Sequence, residues 1–300
     1  MKIFAPDYYR DFKCSAGNCK HSCCIGWEID IDSETAKLYK SVPGEFGKRL
    51  SENIDFDENG GVFRLCENER CPFLNEKGLC DIYINLGPKA LSQICDDHPR
   101  FRNYFESRTE IGLGLCCEEV AKLILKKKSR TEIIEIEENG EPADFSEEEE
   151  EFFGIRKKIF EIIQNREKSF AERISDTFRF FGAEAPETDF VKWAKICLSL
   201  ERLDEKWTEV LEEILKNPSA PEIFDETTAE QLLCYFIFRH FKAEYPLLSL
   251  CYCVLSFYMT EKAAEQVGIF EGARLWSSEI EYSDENEDII LDTIYEEIQR

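Results

Sequence analysis

Cys14-Ser15-Ala16-Gly17-Asn18-Cys19-Lys20-His21-Ser22-Cys23-Cys24 places four thiols in eleven residues, and Gly26-Trp27 and the acidic pair Asp30 and Asp32 follow at once. Gly17 and Asn18, between the first two cysteines, describe a loop that folds back so that several sulfurs converge on one point. Converging thiolates bind zinc in closed tetrahedra or hold iron–sulfur clusters, and neither site demands much secondary structure. The alternative is a group of small buried hydrophobes, but core cysteines do not usually come so densely.

Working outward, Ile29-Asp30-Ile31-Asp32 alternates like a short strand, and Asp32-Ser33-Glu34 starts a helix that runs to about Lys40. Phe56 to Phe63, with apolar residues on both sides of Asn59-Gly60-Gly61, reads as a hairpin. A second thiol group follows: Cys71-Pro72-Phe73-Leu74, then Cys80-Asp81-Ile82-Tyr83, resembling a knuckle with a long loop. Pro88, just inside a helix over Lys89–Ile94, brings Cys95 to that helix's C-terminal end, ahead of His98-Pro99-Arg100. Strands over Phe101–Phe105 and Thr109–Leu115 deliver Cys116 and Cys117 to the start of a helix, Glu118–Lys128, where the helix N-terminus favours thiolate.

Of the fourteen cysteines, ten fall between Cys14 and Cys117, so the halves of the chain differ in chemistry. Met1-Lys2-Ile3-Phe4-Ala5-Pro6-Asp7 lacks the apolar core and cleavage site of a secretory signal, so a cytoplasmic location is expected, where clustered thiols serve as metal ligands or redox groups rather than disulfides. The net charge of −25 argues against nucleic acid and against an anionic membrane surface as partners, and would suit a basic ligand. The longest apolar run, Tyr245 to Met259, is too short to span a bilayer and is expected in the core. A cysteine-cluster domain over 1–130, an acidic linker over 131–151 and a helical domain over 152–300 are expected. The linker is marked by Asn139-Gly140-Glu141-Pro142 and the acid block Glu147–Glu151, itself read as the first turns of a helix. Beyond Phe152 the apolar spacing predicts six to eight helices, with breaks that include Ala243 to Pro246.

The order Cys14-x4-Cys19-x3-Cys23-Cys24-x-Gly26-Trp27, then Cys71-Pro72-Phe73-Leu74…Gly78-x-Cys80-x-Ile82, Leu91-Ser92…Cys95…Pro99-Arg100 and Cys117 resembles the flagellin lysine-N-methylase family. Trp276-Ser277…Glu279-Ile280-Glu281…Ser283-Asp284-Glu285-Asn286 resembles that family's ending, and the cysteine pattern is also similar to bacterial zinc- or iron-chelating cluster proteins. The resemblance implies N-methylation of flagellin lysines, S-adenosylmethionine as methyl donor, and a cysteine-bound iron–sulfur centre of the 4Fe–4S kind, with zinc as the alternative. Carried over residue by residue, the metal ligands are Cys14, Cys19, Cys23, Cys24, Cys71, Cys80, Cys95 and Cys117, enough for two four-thiolate sites. Cys66 and Cys116 are extra to the pattern, although Cys116 could substitute for its neighbour. His21 and His98 read as structural rather than ligating.

The residues themselves say less about methyl transfer. Glu110-Ile111-Gly112-Leu113-Gly114 is the one candidate for a Rossmann-type cofactor turn, and it fails on polar residues before it and cysteines after it. Cys14, Cys19 and Cys23 depart from the C-x3-C-x2-C spacing of radical S-adenosylmethionine enzymes. Asp30, Asp32 and Asp81, beside the thiols, are the candidate catalytic carboxylates, because a lysine must lose its proton before it can be methylated; equally, they cap helices or pair with Arg100 and Arg102. A non-catalytic metal-binding interaction protein and a redox iron–sulfur protein remain as alternatives. The expected fold is α+β: an irregular, metal-stapled N-terminal unit with short strands, docked on an all-helical C-terminal unit.

Overall fold

The structure, a computed structural model, describes residues 2–138, 146–223, 225–242 and 244–299. Asn139-Gly140-Glu141-Pro142 and Ala243, expected in the linker and in a helix break, lie outside the described residues. The chain is α+β, as expected, and divides into two compact units, Lys13–Phe101 and Met1–Phe12 with Arg102–Arg300.

The chain opens with β1 (Lys2–Pro6), a strand of the larger unit. The smaller unit then begins with the thiol loop, followed by β2 (Asp30–Asp32), α1 (Ser33–Ser41), α2 (Gly44–Glu52), β3 (Ile54–Phe56) and β4 (Gly60–Phe63). The three strands form an antiparallel sheet in the order β2-β4-β3. Its hairpin turns where expected: Asp57 Oδ1 accepts from the Asn59 and Gly60 N–H groups, each at 2.7 Å. Gly61 has no alternative there, since a Cβ would lie 2.6 Å from the Asp55 carbonyl oxygen. Two short helices close the unit, α3 (Asp81–Leu86) and α4 (Gln93–Asp97). The expected helix over Lys89–Ile94 is not formed. Pro88 instead opens a single 3-10 turn to Ala90, and the helix starts after Ser92, so Cys95 sits inside it. Ile31, Tyr39, Leu50, Phe63, Phe73 and Ile82 form the core, and the Tyr39 hydroxyl donates to the Ala90 carbonyl at 2.6 Å.

The larger unit continues through β5 (Arg100–Tyr104), β6 (Arg108–Leu113), α5 (Glu118–Leu125) and β7 (Ile133–Glu138). Its sheet has the order β5-β6-β1-β7, with β1 parallel to β6 and antiparallel to β7. Among the described residues eight helices follow: α6 (Glu147–Ile163), α7 (Phe170–Phe180), α8 (Phe190–Ser199), α9 (Glu205–Lys216), α10 (Glu226–His240), α11 (Pro246–Val267), α12 (Ile269–Trp276) and α13 (Asp284–Ile298). Ser146, Ser169, Asp189, Asp204, Asp225 and Ser283 cap six of them. Helix α10 is buried on all sides from Leu232 to Phe238, and the apolar run expected in the core lies largely in α11. Among the described residues no helix is long and apolar enough to cross a membrane.

These units are drawn elsewhere than composition drew them, and the helices share theirs with a four-stranded sheet rather than standing alone. The reason is non-local bonding. β1 seats the N-terminus between β6 and β7, while Thr131 N donates to Gln164 Oε1 and Thr131 Oγ1 to Gln231 Oε1, both at 2.6 Å. Those contacts pin the expected linker to α6 and α10. The acid block does begin a helix, but it is more than a solvated face: Glu149 accepts from the Glu106 and Ser107 N–H groups at 2.6 and 3.1 Å.

Buried charge binds this unit. His240 is held between Glu281 (Nε2–Oε1 2.6 Å) and Glu287 (Nδ1–Oε1 2.8 Å), with the Tyr252 ring edge-on at 5.0 Å. The Tyr235 hydroxyl donates to Glu281 at 2.8 Å and accepts from Arg239 at 2.9 Å. Burial alone would lower the His240 pKa, but the two carboxylates win and raise it. Stability from the imidazolium is therefore complete below the ordinary histidine value and is lost as pH rises through the raised one. Thermal melts taken upward from below the ordinary histidine value should fall for the native chain and flatten in His240→Gln.

Candidate metal centre

The two thiol groups are joined through backbone. Cys71 N donates to the Cys24 carbonyl at 2.8 Å, Gly26 N to the Glu69 carbonyl at 3.2 Å, and Ile25 bridges Arg70. The knuckle itself is wound around Asn75, whose Oδ1 accepts from Lys77 N and Leu79 N at 2.9 and 3.0 Å, with Leu74 bridging Cys80. Arg70 donates to the Leu74 and Asn75 carbonyls at 3.0 and 2.7 Å, tying the turn to the first loop. Gly17 lies against that turn. A Cβ on it would sit 2.6 Å from the Lys77 carbonyl oxygen, so Gly17→Ala is expected to lift the first loop from the knuckle, destabilise the unit by about 1–3 kcal/mol and weaken metal retention, as read by chelator competition.

Cys71 is buried, and Cys24, Cys80 and Cys95 pack half-buried against the same core. Burial first, then the neighbouring thiols, pushes Cys71 up to about 12 and Cys95 up to about 11, and raises Cys80 as well. Cys24 is the exception. Hydrogen bonding within the Cys23–Cys24 pair, opposed by burial and helped by Ser22 and Arg70, lowers Cys24 to about 7 and raises Cys23. The four share one core, and thiols are the donors that zinc and iron–sulfur clusters take, so the chemistry of the set fits either. Cys14 lies within electrostatic reach of Cys23, and the Cys19 sulfur contacts the Ser15 hydroxyl at 3.0 Å. Cys66 is exposed.

Cys117 belongs to the larger unit, where it precedes the first turn of α5; its neighbour Cys116 is buried there. Asp32 and Asp81 are engaged structurally. Asp32 Oδ1 caps α1 through Thr35 N and its Oδ2 takes Gln93 N, both at 2.9 Å; despite burial these donors hold the carboxyl below its usual range. Asp81 pairs with Arg49 at 2.8 Å and accepts from Asn75 at 2.9 Å, which outweighs burial and lowers its pKa too. Its partner is thus Arg49, not Arg100 or Arg102. Asp30 is exposed at the start of β2, and His21 is exposed in the first loop. His98 stands edge-on to Trp27 at 5.7 Å, and burial with Arg100 nearby lowers it to about 4, so its imidazole is neutral. The Glu110–Gly114 stretch is strand β6 and its end, with Glu110 fully buried against Arg108 and Arg156 and Gly114 giving way to the Tyr282 ring.

Two features escaped the sequence reading. Ser92, quoted only as part of a motif, is a buried hydroxyl without a hydrogen bond at the N-cap of the helix that carries Cys95. His240 was signalled only by two charged residues, Arg239 and His240, closing the apolar run Leu232–Phe238 of α10. The C-terminal motif proves to be internal bracing: Glu279 accepts from Leu203 N and Asp204 N at 2.9 and 2.8 Å, and Asn286 Nδ2 donates to the Glu279 carbonyl at 2.7 Å.

Comparison with known proteins finds similarity to two proteins named lysine-N-methylase, from Salmonella choleraesuis strain SC-B67 and Salmonella typhimurium strain LT2. Each is 32% identical over 131 residues, 42% of this chain and 33% of the relative. The flagellar biosynthetic protein FliU of Salmonella muenchen is likewise 32% identical over 131 residues, and there the match covers 78% of the relative. The match thus spans about a third of the two methylases' length. No family model matches the chain, and neither does any solved structure.

Proposed function

This chain belongs to the family of the Salmonella lysine-N-methylases and FliU, and from that premise we propose that it N-methylates lysine side chains of flagellin. In this reading S-adenosylmethionine is the methyl donor, and an iron–sulfur centre is held by Cys24, Cys71, Cys80 and Cys95. The observation that carries the metal centre is the gathering of these four thiols, from three separate stretches of chain, on one core. Cys14, Cys19 and Cys23 border it as further ligands, and Cys117 would serve a site in the larger unit. Bound S-adenosylmethionine would supply an electrophilic methyl group on sulfonium sulfur. The chain's own work is to draw in the substrate ammonium, for which its net charge of −25 is suited, and to take its proton so that the nitrogen gains a lone pair. Asp30, exposed and engaged by neither cap nor ion pair among the described residues, is the carboxylate of the three left for that step.

The test is iron and sulfide analysis of protein purified without oxygen, followed by transfer of label from S-adenosylmethionine to flagellin lysines. Brown protein that labels flagellin supports the reading; colourless protein with stoichiometric zinc and no transfer overturns it. One observation favours a second reading, a non-catalytic metal-binding module: Asp32 and Asp81 are consumed by helix capping and an ion pair. That reading requires full metal loading with no affinity for S-adenosylmethionine.

A further inference from the structure

Ser92 occupies the N-cap of α4, the position at which a serine side chain normally accepts an N–H from the first turn. It does not do so here. The N–H of Gln93, the first helical residue, goes to Asp32 Oδ2 at 2.9 Å, which reaches over from the start of α1. The Ser92 backbone still works normally, its carbonyl accepting from Asp96 N at 2.9 Å. Ser92 is 1% exposed, and its hydroxyl completes no hydrogen bond. Leaving a buried hydroxyl unmatched is unfavourable, so such a group calls for a partner.

Cys95 lies three residues on, at the third position of the same helix, the one an N-cap side chain faces. A neutral thiol is a weak acceptor; a metal-bound thiolate carries charge and is a good one. Resting on the metal-centre reading above, we propose that Ser92 is a positioning residue whose hydroxyl donates an O–H···S hydrogen bond to the metal-bound Cys95 thiolate. The bond withdraws charge from one corner of the centre, stabilises its reduced form and raises its reduction potential.

The experiment uses the full chain loaded with iron and sulfide without oxygen, and in parallel with Co2+ as a spectroscopic probe. Ser92→Ala is expected to keep its metal stoichiometry while its reduction equilibrium shifts about tenfold toward the oxidised form, about 59 mV for one electron. The cobalt–thiolate absorption should shift as well, and Ser92→Thr, which keeps the hydroxyl, should restore both. Should the alanine variant fail to load, Ser92→Gly, which retains a favourable helix start, repeats the comparison. Loaded variants with native potential and native cobalt spectrum overturn the role of Ser92 and leave the metal centre standing. A native chain that takes up neither iron nor cobalt overturns the metal centre, and this inference with it.

Discussion

Cys71→Ser is expected to abolish stoichiometric metal loading and to leave the unit Lys13–Phe101 open to protease, whereas Cys66→Ser changes neither. Cys71 is 6% exposed and belongs to the unit's core, while Cys66 is exposed. The serine oxygen is a poor ligand for a soft metal and adds a buried hydroxyl among thiols, so the variant loses both binding energy and packing. Metal binding to a closed thiolate site stabilises a small domain by on the order of 10 kcal/mol, more than such a core usually spares. Metal analysis and limited proteolysis of the two variants side by side decide the matter. Equal loading in both would remove Cys71 from the ligand set.

In the larger unit the greatest single loss is expected from Glu281→Gln. Glu281 is buried, its pKa lowered to about 2 because Arg239 and His240 outweigh burial, and its carboxylate also accepts from Tyr235 at 2.8 Å. Glutamine keeps the shape but leaves Arg239 and protonated His240 with half their buried counter-charge gone. Removing one partner from such a buried network typically costs about 3–5 kcal/mol, which for a domain of this size lowers the melting temperature by roughly 10 °C. Thermal unfolding followed by circular dichroism should show that drop near neutral pH and a smaller one at alkaline pH, where His240 loses its charge in the native chain. A melting point within a degree or two of native, ~2 °C, would mean that the network contributes nothing net.

Several features of the centre were legible because local chemistry dictates them. Asp32 before Ser33-Glu34 announced a helix cap, Asn59-Gly60-Gly61 a hairpin, and the cysteine spacings two loops able to present sulfur. The boundary between units was not legible. Composition changes at the acid block, yet the chain is partitioned by β1, which pairs with strands more than a hundred residues away. The helix bearing Cys95 was misplaced for a related reason: Pro88 is a good first helical residue in isolation, but the carboxylate that takes Gln93 N–H comes from Asp32.

By itself, then, the sequence determined the α+β class, the thiol-rich loops and the run of helices beyond Phe152, all of which follow from spacings of a few residues that backbone geometry enforces. Tertiary structure decided which thiols share a core, sending Cys24, Cys71, Cys80 and Cys95 to one while Cys117 went to the other unit. It also turned Asp32 and Asp81 from candidate bases into braces, and it buried His240 between two glutamates. Those outcomes depend on contacts between residues far apart in the chain, whose energies no local pattern encodes, because burial and charge pairing exist only once the segments have been brought together.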